Sequence, residues 1–269
     1  MADRLKTESR HKMYLRLLLL FGCTLMTGLC SGQEAAKPPS VTTSPAVHDD
    51  LEEAINEVQG GNYAYVEQIV KAAGEKESVP ILQNVFSQSQ STLTKCFIAR
   101  KLIKLGNNDE VYWNYLAGVA REALDSDIPD WFAYDENGKA IKGKISPEFE
   151  AWAKAQKTSG GPWAEDQFYG PMLPLGLLAS TGDPRAVPLL RSGLLARNYL
   201  IEAASAGGLA ELRDKDSIPL IVEACKRAPA DDAGAIAMAL LQFNDPEAQD
   251  AAEPFLPANV VDALHHAQR

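Results

Sequence analysis

The chain is poor in the residues on which most site chemistry depends. Of its 269 residues only 4 are Cys and 4 are His, and neither a Cys-x-x-Cys nor a His-Glu-x-x-His spacing occurs. No ligand set for zinc or iron is therefore in view, and no metal or other cofactor is expected. Gly-x-Ser-x-Gly and phosphate-loop patterns are missing too, which removes the common nucleophile and nucleotide signatures. Basic charge is in deficit: 26 Lys and Arg stand against 36 Asp and Glu, a formal net charge of −10. Nucleic-acid binding requires clustered Lys and Arg to displace counterions, so no such partner is expected. Hydrophobic residues, at 46%, still suffice for the core of one or two domains.

Long apolar runs are scarce as well. Leu17 to Cys30 is uncharged for fourteen residues, short of the roughly 20 that cross ~30 Å of hydrocarbon. It follows Arg4, Lys6, Arg10, Lys12 and Arg16 and ends among the small residues Gly28, Cys30, Ser31 and Gly32. A basic segment, an apolar segment and small residues at the cut read as a signal peptide over 1–32, starting from Met1 or Met13. The expectation is a periplasmic or secreted protein with no stable membrane span after cleavage. Lipid anchoring at Cys30 is the rival, disfavoured by Leu29 where such motifs carry Gly or Ala. Cleavage leaves 21 basic and 34 acidic residues, a net charge of −13. Residues 33–47 include Pro38, Pro39, Ser40, Thr42, Thr43, Ser44 and Pro45, the composition of a disordered linker. The folded domain is then 48–269.

What is present is a repeat. Gly182-Asp183-Pro184-Arg185-Ala186-Val187-Pro188-Leu189-Leu190 aligns with Arg213-Asp214-Lys215-Asp216-Ser217-Ile218-Pro219-Leu220-Ile221, and both align with Asn244-Asp245-Pro246-Glu247-Ala248. Asp183, Asp214 and Asp245 are 31 residues apart. The same period links Leu178, Leu209 and Leu240; Leu175, Ala206 and Ala237; and Leu194, Cys225 and Leu256. Asp183-Pro184 and Asp245-Pro246 are helix starts, an N-cap carboxylate followed by a proline whose missing N–H costs nothing there. Each unit reads as two helices, the second rich in Ala and Leu at three- and four-residue spacing. Such a hairpin must stack on a neighbour to cover its apolar face.

These units resemble short HEAT repeats of the PBS-lyase HEAT-like subtype, closely over 172–257 and more weakly before. Gly74 to Leu82 repeats the first-helix motif, Ser91 to Leu105 supplies its second helix, and Asn108-Asp109-Glu110-Val111 opens the next unit. The resemblance implies an all-α fold, an α–α solenoid of HEAT-like hairpins, in an exported bacterial protein. Its first helix after Asp109 has no prompt partner. A non-repeat insertion is placed at about 125–163, with the delayed second helix within 166–180. Asp49 to Gly74 closes one end with one or two helices, and a polar tail from His265 closes the other.

The insertion is aromatic. Tyr112 to Tyr169 holds eleven aromatic residues, including all four Trp. Phe132-Ala133-Tyr134 and Lys139-Ala140-Ile141 flank Asp135-Glu136-Asn137-Gly138, a hairpin signal, and Ser146-Pro147 starts a short helix. If the insertion is a binding lip, Trp131, Tyr134, Trp152 and Trp163 are the ligand-binding candidates, because Trp and Tyr give rigid contact area at low entropic cost. Anchoring the insertion to the repeats explains the same aromatics and is favoured, since a small excursion needs apolar anchors. Asp125, Asp127, Asp130, Asp135 and Asn137 do not fit an EF-hand, whose glycine would set Ala133 at position one. Cys96 and Cys225 read as buried thiols.

The function expected is that of an exported HEAT-repeat scaffold binding another protein, without catalysis. A small-ligand or glycan-binding module centred on the insertion is the alternative. Repeats of this subtype also occur in bilin lyases and isomerases, so the resemblance carries a third reading as an enzyme of that kind, which export opposes.

Overall fold

Helices dominate the protein, and many begin where the sequence displays a capping side chain. The computed structural model describes residues 45–267 except 138, 165 and 167–169. The signal segment 1–32 lies outside the described residues, as does most of the linker. First come α1 (Pro45–Gln59), α2 (Val66–Ala73), α3 (Glu75–Gln88), α4 (Thr92–Lys104) and α5 (Glu110–Asp125). The insertion follows, as β1 (Phe132–Tyr134), β2 (Ala140–Ile145) and α6 (Pro147–Ser159). Then come α7 (Leu173–Ala179), α8 (Val187–Gly193), α9 (Tyr199–Glu211), α10 (Ile218–Arg227), α11 (Ala230–Leu241), α12 (Pro246–Ala252) and α13 (Ala258–Ala267). Among the described residues the fold is helical apart from the antiparallel β1–β2 pair.

Two boundaries differ from the sequence reading. Pro45 to Val47, placed in the linker by composition, open α1, because proline at a helix start forfeits only a hydrogen bond that the first turn lacks anyway. At the other end α13 continues through His265 and His266, and His265 bonds Glu253 at 2.7 Å.

The 31-residue period is present in the backbone as well as in side chains. Gly182, Arg213 and Asn244 all have positive φ, at 76°, 57° and 51°, each just before the aspartate of its unit. Only the first is glycine, so the turn that ends each second helix is imposed on two residues that adopt this region less readily. The Asp183 and Asp245 carboxylates then accept the N–H of Arg185 and Glu247 at 2.9 and 3.0 Å. Asp214 instead turns to Arg191, leaving its helix start without a side-chain cap. Tight turns at Pro184–Ala186 and Lys215–Ser217 precede α8 and α10. Pro188 and Pro219 explain them: neither has an N–H to return to the carbonyl four residues back.

Packing follows the aligned columns. Leu178, Leu209 and Leu240 are buried, as are Leu175, Ala206 and Ala237, and Leu194, Cys225 and Leu256. A buried Leu contributes roughly 1.5–3 kcal/mol relative to an exposed one. Helix α7 lies against α4, α5 and α9; α9 lies against α8 and α11; α11 lies against α10 and α12. Gly208 permits one of these approaches, since a Cβ there would meet the Ala179 Cβ at 2.8 Å and Leu190 at 3.0 Å. Between successive units of the sequence repeat run the ion pairs Glu110–Arg185, Asp214–Arg191 and Asp245–Lys215, at 2.9, 2.8 and 2.6 Å. The exposed pair Glu110–Arg185 is worth about 0–1 kcal/mol.

Candidate functional site: the seat of the insertion

The insertion is held by the starts of two helices, α9 and α11. Asn198 caps α9 through its Oδ1, which accepts the Leu200 N–H at 3.0 Å, while its Nδ2 donates to the Pro129 carbonyl at 2.8 Å. One buried amide thus fixes both the helix start and the loop entering β1. Outside it, Arg197 pairs with Asp127 at 3.3 Å and with Glu148 at 2.6 Å. On the α11 side the Ala140 N–H donates to Asp231 Oδ2 at 3.0 Å. The turn between the strands is organised by Asp135, whose Oδ1 accepts from both the Asn137 and Lys139 N–H groups at 2.9 Å. Asn137 therefore sits in an Asx-type turn, and Gly138 lies outside the described residues.

The aromatic candidates take different places. Trp131 stacks on Phe132 at 5.3 Å and faces Phe149 at 6.4 Å, Phe149 meets Trp152 at 5.4 Å, and Phe132 stacks on Tyr199 of α9 at 5.8 Å. Trp131 and Trp152 are thus brought together through Phe149, in a run of rings that ends on the repeat helices. Trp163 is fully buried. Tyr134 belongs to another group altogether. Its hydroxyl lies 2.9 Å from Asp130 Oδ2 and is also hydrogen-bonded to Asp232 Oδ2 of α11.

That group is a buried acidic cluster, which the sequence reading does not anticipate. Asp232 is 3% exposed and Glu202 7% exposed, and Arg227 reaches Glu202 at 3.5 Å. Burial, followed by the neighbouring charges of Asp130 and Asp231, pushes the Asp232 carboxyl up to about 7 despite the Tyr134 hydrogen bond. Burial does the same to Glu202, also up to about 7, against the pull of Arg227. Burial raises Asp130 too, opposed by Tyr134 and by the Trp131 and Tyr199 N–H groups, which stabilise its charged form. Burial and the two carboxyls drive the Tyr134 phenol upward, so it stays neutral and keeps its proton. One signal in the sequence could have flagged Glu202: it is the only charged residue in α9 before its last residue, Glu211. Asp232 carries no such mark, since acidic residues are ordinary in a first helical turn.

Asp127, Asp130 and Asp135 are engaged by different partners. Asp127 serves Arg197, Asp130 serves Tyr134 and Asp135 serves its own turn. Cys96 and Cys225 are free and buried, and burial pushes the Cys225 thiol up to about 12, so neither is poised as a thiolate.

Two concave regions flank α8. A cleft of about 110 Å³ is lined by Ala123, Asp127, Ile128, Leu195 and Arg197 among others. A more open groove of about 310 Å³ lies between α8 and α10, lined by Leu194, Leu195 and Leu220 with Arg191, Glu223 and Arg227 at its edge. Leu195 is 75% exposed and Leu220 44%. None of Trp131, Tyr134, Trp152 or Trp163 lines either region.

No family model matches the chain, and neither the curated proteins nor the solved structures give a significant match.

Proposed function

We propose that the protein is an exported scaffold, a HEAT-like α–α solenoid of the PBS-lyase subtype that binds another protein on its first-helix face and performs no catalysis. Supporting the solenoid are the recurrence of the left-handed turn residue at 182, 213 and 244 and the ion pairs that join one unit of the sequence repeat to the next. Supporting export is the signal-like composition of 1–32. The observation that carries the binding role is the groove between α8 and α10. It keeps two leucines in water at a position where stacked repeats present extended partner surfaces. The aromatic insertion is read as an anchor in preference to a ligand or glycan lip, because its rings end on Tyr199.

The test places a photo-crosslinking residue at Leu195 in the full chain, in its native envelope, with the same residue at exposed Glu150 as reference. A discrete adduct at position 195, lost on Leu220→Asp and absent at position 150, is expected. Equal labelling at both positions, or an adduct indifferent to Leu220→Asp, overturns the docking role.

A further inference from the structure

A hydroxyl carries one hydrogen, yet the Tyr134 hydroxyl is within hydrogen-bonding distance of two carboxyl groups, Asp130 and Asp232. If both were charged, one oxygen pair would face the phenol with no hydrogen between them, beside a carboxyl, Asp232, that is itself buried. The arrangement needs a second proton, and that proton must lie on a carboxyl. Asp130 already accepts the Trp131 N–H at 2.9 Å and the Tyr199 N–H, which favours its charged form. Asp232 makes its side-chain hydrogen bond to the phenol. The consistent assignment has the phenol donating to Asp130 and a neutral Asp232 donating to the phenol oxygen.

The two ends of this chain belong to different parts of the fold. Asp130 and Tyr134 are in the insertion, and Asp232 is in the first turn of α11. We propose that Asp130, Tyr134 and Asp232 form a proton-operated latch that seats the β1–β2 hairpin on α11. With one proton on the two carboxyls the hairpin is held, and once that proton passes to solvent the hairpin's far end lifts.

The charged groups around the latch set its direction. Asp231 on α11 and Glu202 on α9 add negative charge near Asp232. Arg227 on α10 is engaged by Glu202 and by the Leu194 carbonyl, which it reaches at 2.7 Å. Arg197 acts on Asp130 from outside while paired with Asp127 and Glu148. Among the described residues no cation is thus committed to Asp232, and loss of its proton leaves Asp130, Asp231, Asp232 and Glu202 facing one another. Release is partial. The Asn198 hold on the Pro129 carbonyl and the Phe132–Tyr199 stack do not depend on that proton, so the hairpin hinges at its β1 entry. On release Tyr134 parts from Asp232, and the Ala140 N–H parts from Asp231.

The experiment is amide hydrogen exchange on the full chain from pH 5.5 to 8.5, corrected for intrinsic exchange, with α4 amides as internal reference. Protection of the Ala140 amide, the β2 N–H that bonds α11, is expected to fall at least tenfold relative to α4, with a midpoint near 7, the value to which Asp232 is pushed. In Asp232→Asn, whose amide donates to the phenol at every pH, protection is expected to be flat. In Asp130→Asn the phenol hydrogen is free for a charged Asp232 and the new amide can donate to the phenol oxygen, so protection is expected to stay high across the whole range. A flat profile in the unaltered protein overturns the latch, whether or not either variant folds. So does a midpoint unchanged by Asp232→Asn or by Asp130→Asn.

Discussion

At the scale of single residues, the buried acidic side chains among the described residues, Glu202 and Asp232, lie in one cluster. Glu202 and Asp232 have folded-state carboxyls pushed to about 7, well above their ordinary range, chiefly by burial. A raised carboxyl binds its proton more tightly when folded than when unfolded. The corresponding stability is complete below the unfolded value near 4 and is lost as pH rises through about 7. Urea unfolding at pH 5.5 and 8.0 is therefore expected to show a less stable protein at the higher pH. Glu202→Gln should shrink that difference without abolishing it, since Asp232 remains. An undiminished difference would show that Glu202 is not one of its sources. Residue types alone did not disclose this cluster: Asp130 is one of several acidic residues in a loop, and Tyr134 reads equally well as a ring to stack on.

Among elements, the helix starts are the most legible feature, because a cap is local chemistry. Asp109, Ser146 and Asp183 are each readable as a start, and each accepts a backbone N–H in the first turn, at 3.0, 3.5 and 2.9 Å. Arg185 holds the Asp183 carboxyl below its ordinary range by hydrogen bonding, and also reaches Glu110 at 2.9 Å. Asp183→Ala is expected to cost about 1 kcal/mol in chemical denaturation, the usual effect of a lost cap. Arg185→Ala, which leaves the cap in place, should cost less, in keeping with an exposed ion pair. The hairpin was legible in kind and not in length. Composition marks Lys139 to Ile141 as its second strand, whereas β2 extends to Ile145 through Lys142, Gly143 and Lys144. Those residues alternate poorly, and it is pairing with β1, Phe132 opposite Ile145, that makes them a strand.

Across the whole molecule, the proposed stacking makes each hairpin depend on its neighbours and little on distant ones. Ending the chain after Phe243 removes α12 and α13 and uncovers α11, which packs on α12. The shortened protein is expected to lose amide protection in α11 while keeping it in α4. Loss of protection in both helices together would mean a single cooperative core, contrary to a solenoid.

The repeat period, the capped helix starts and the buried columns follow from chemistry within a few residues of each position, which is why they are visible as a pattern in the chain. The Asp130–Tyr134–Asp232 cluster joins residues 98 positions apart. Its protonation depends on how much water the packed helices exclude and on which cations are already engaged, quantities that exist only once α9, α10 and α11 lie side by side.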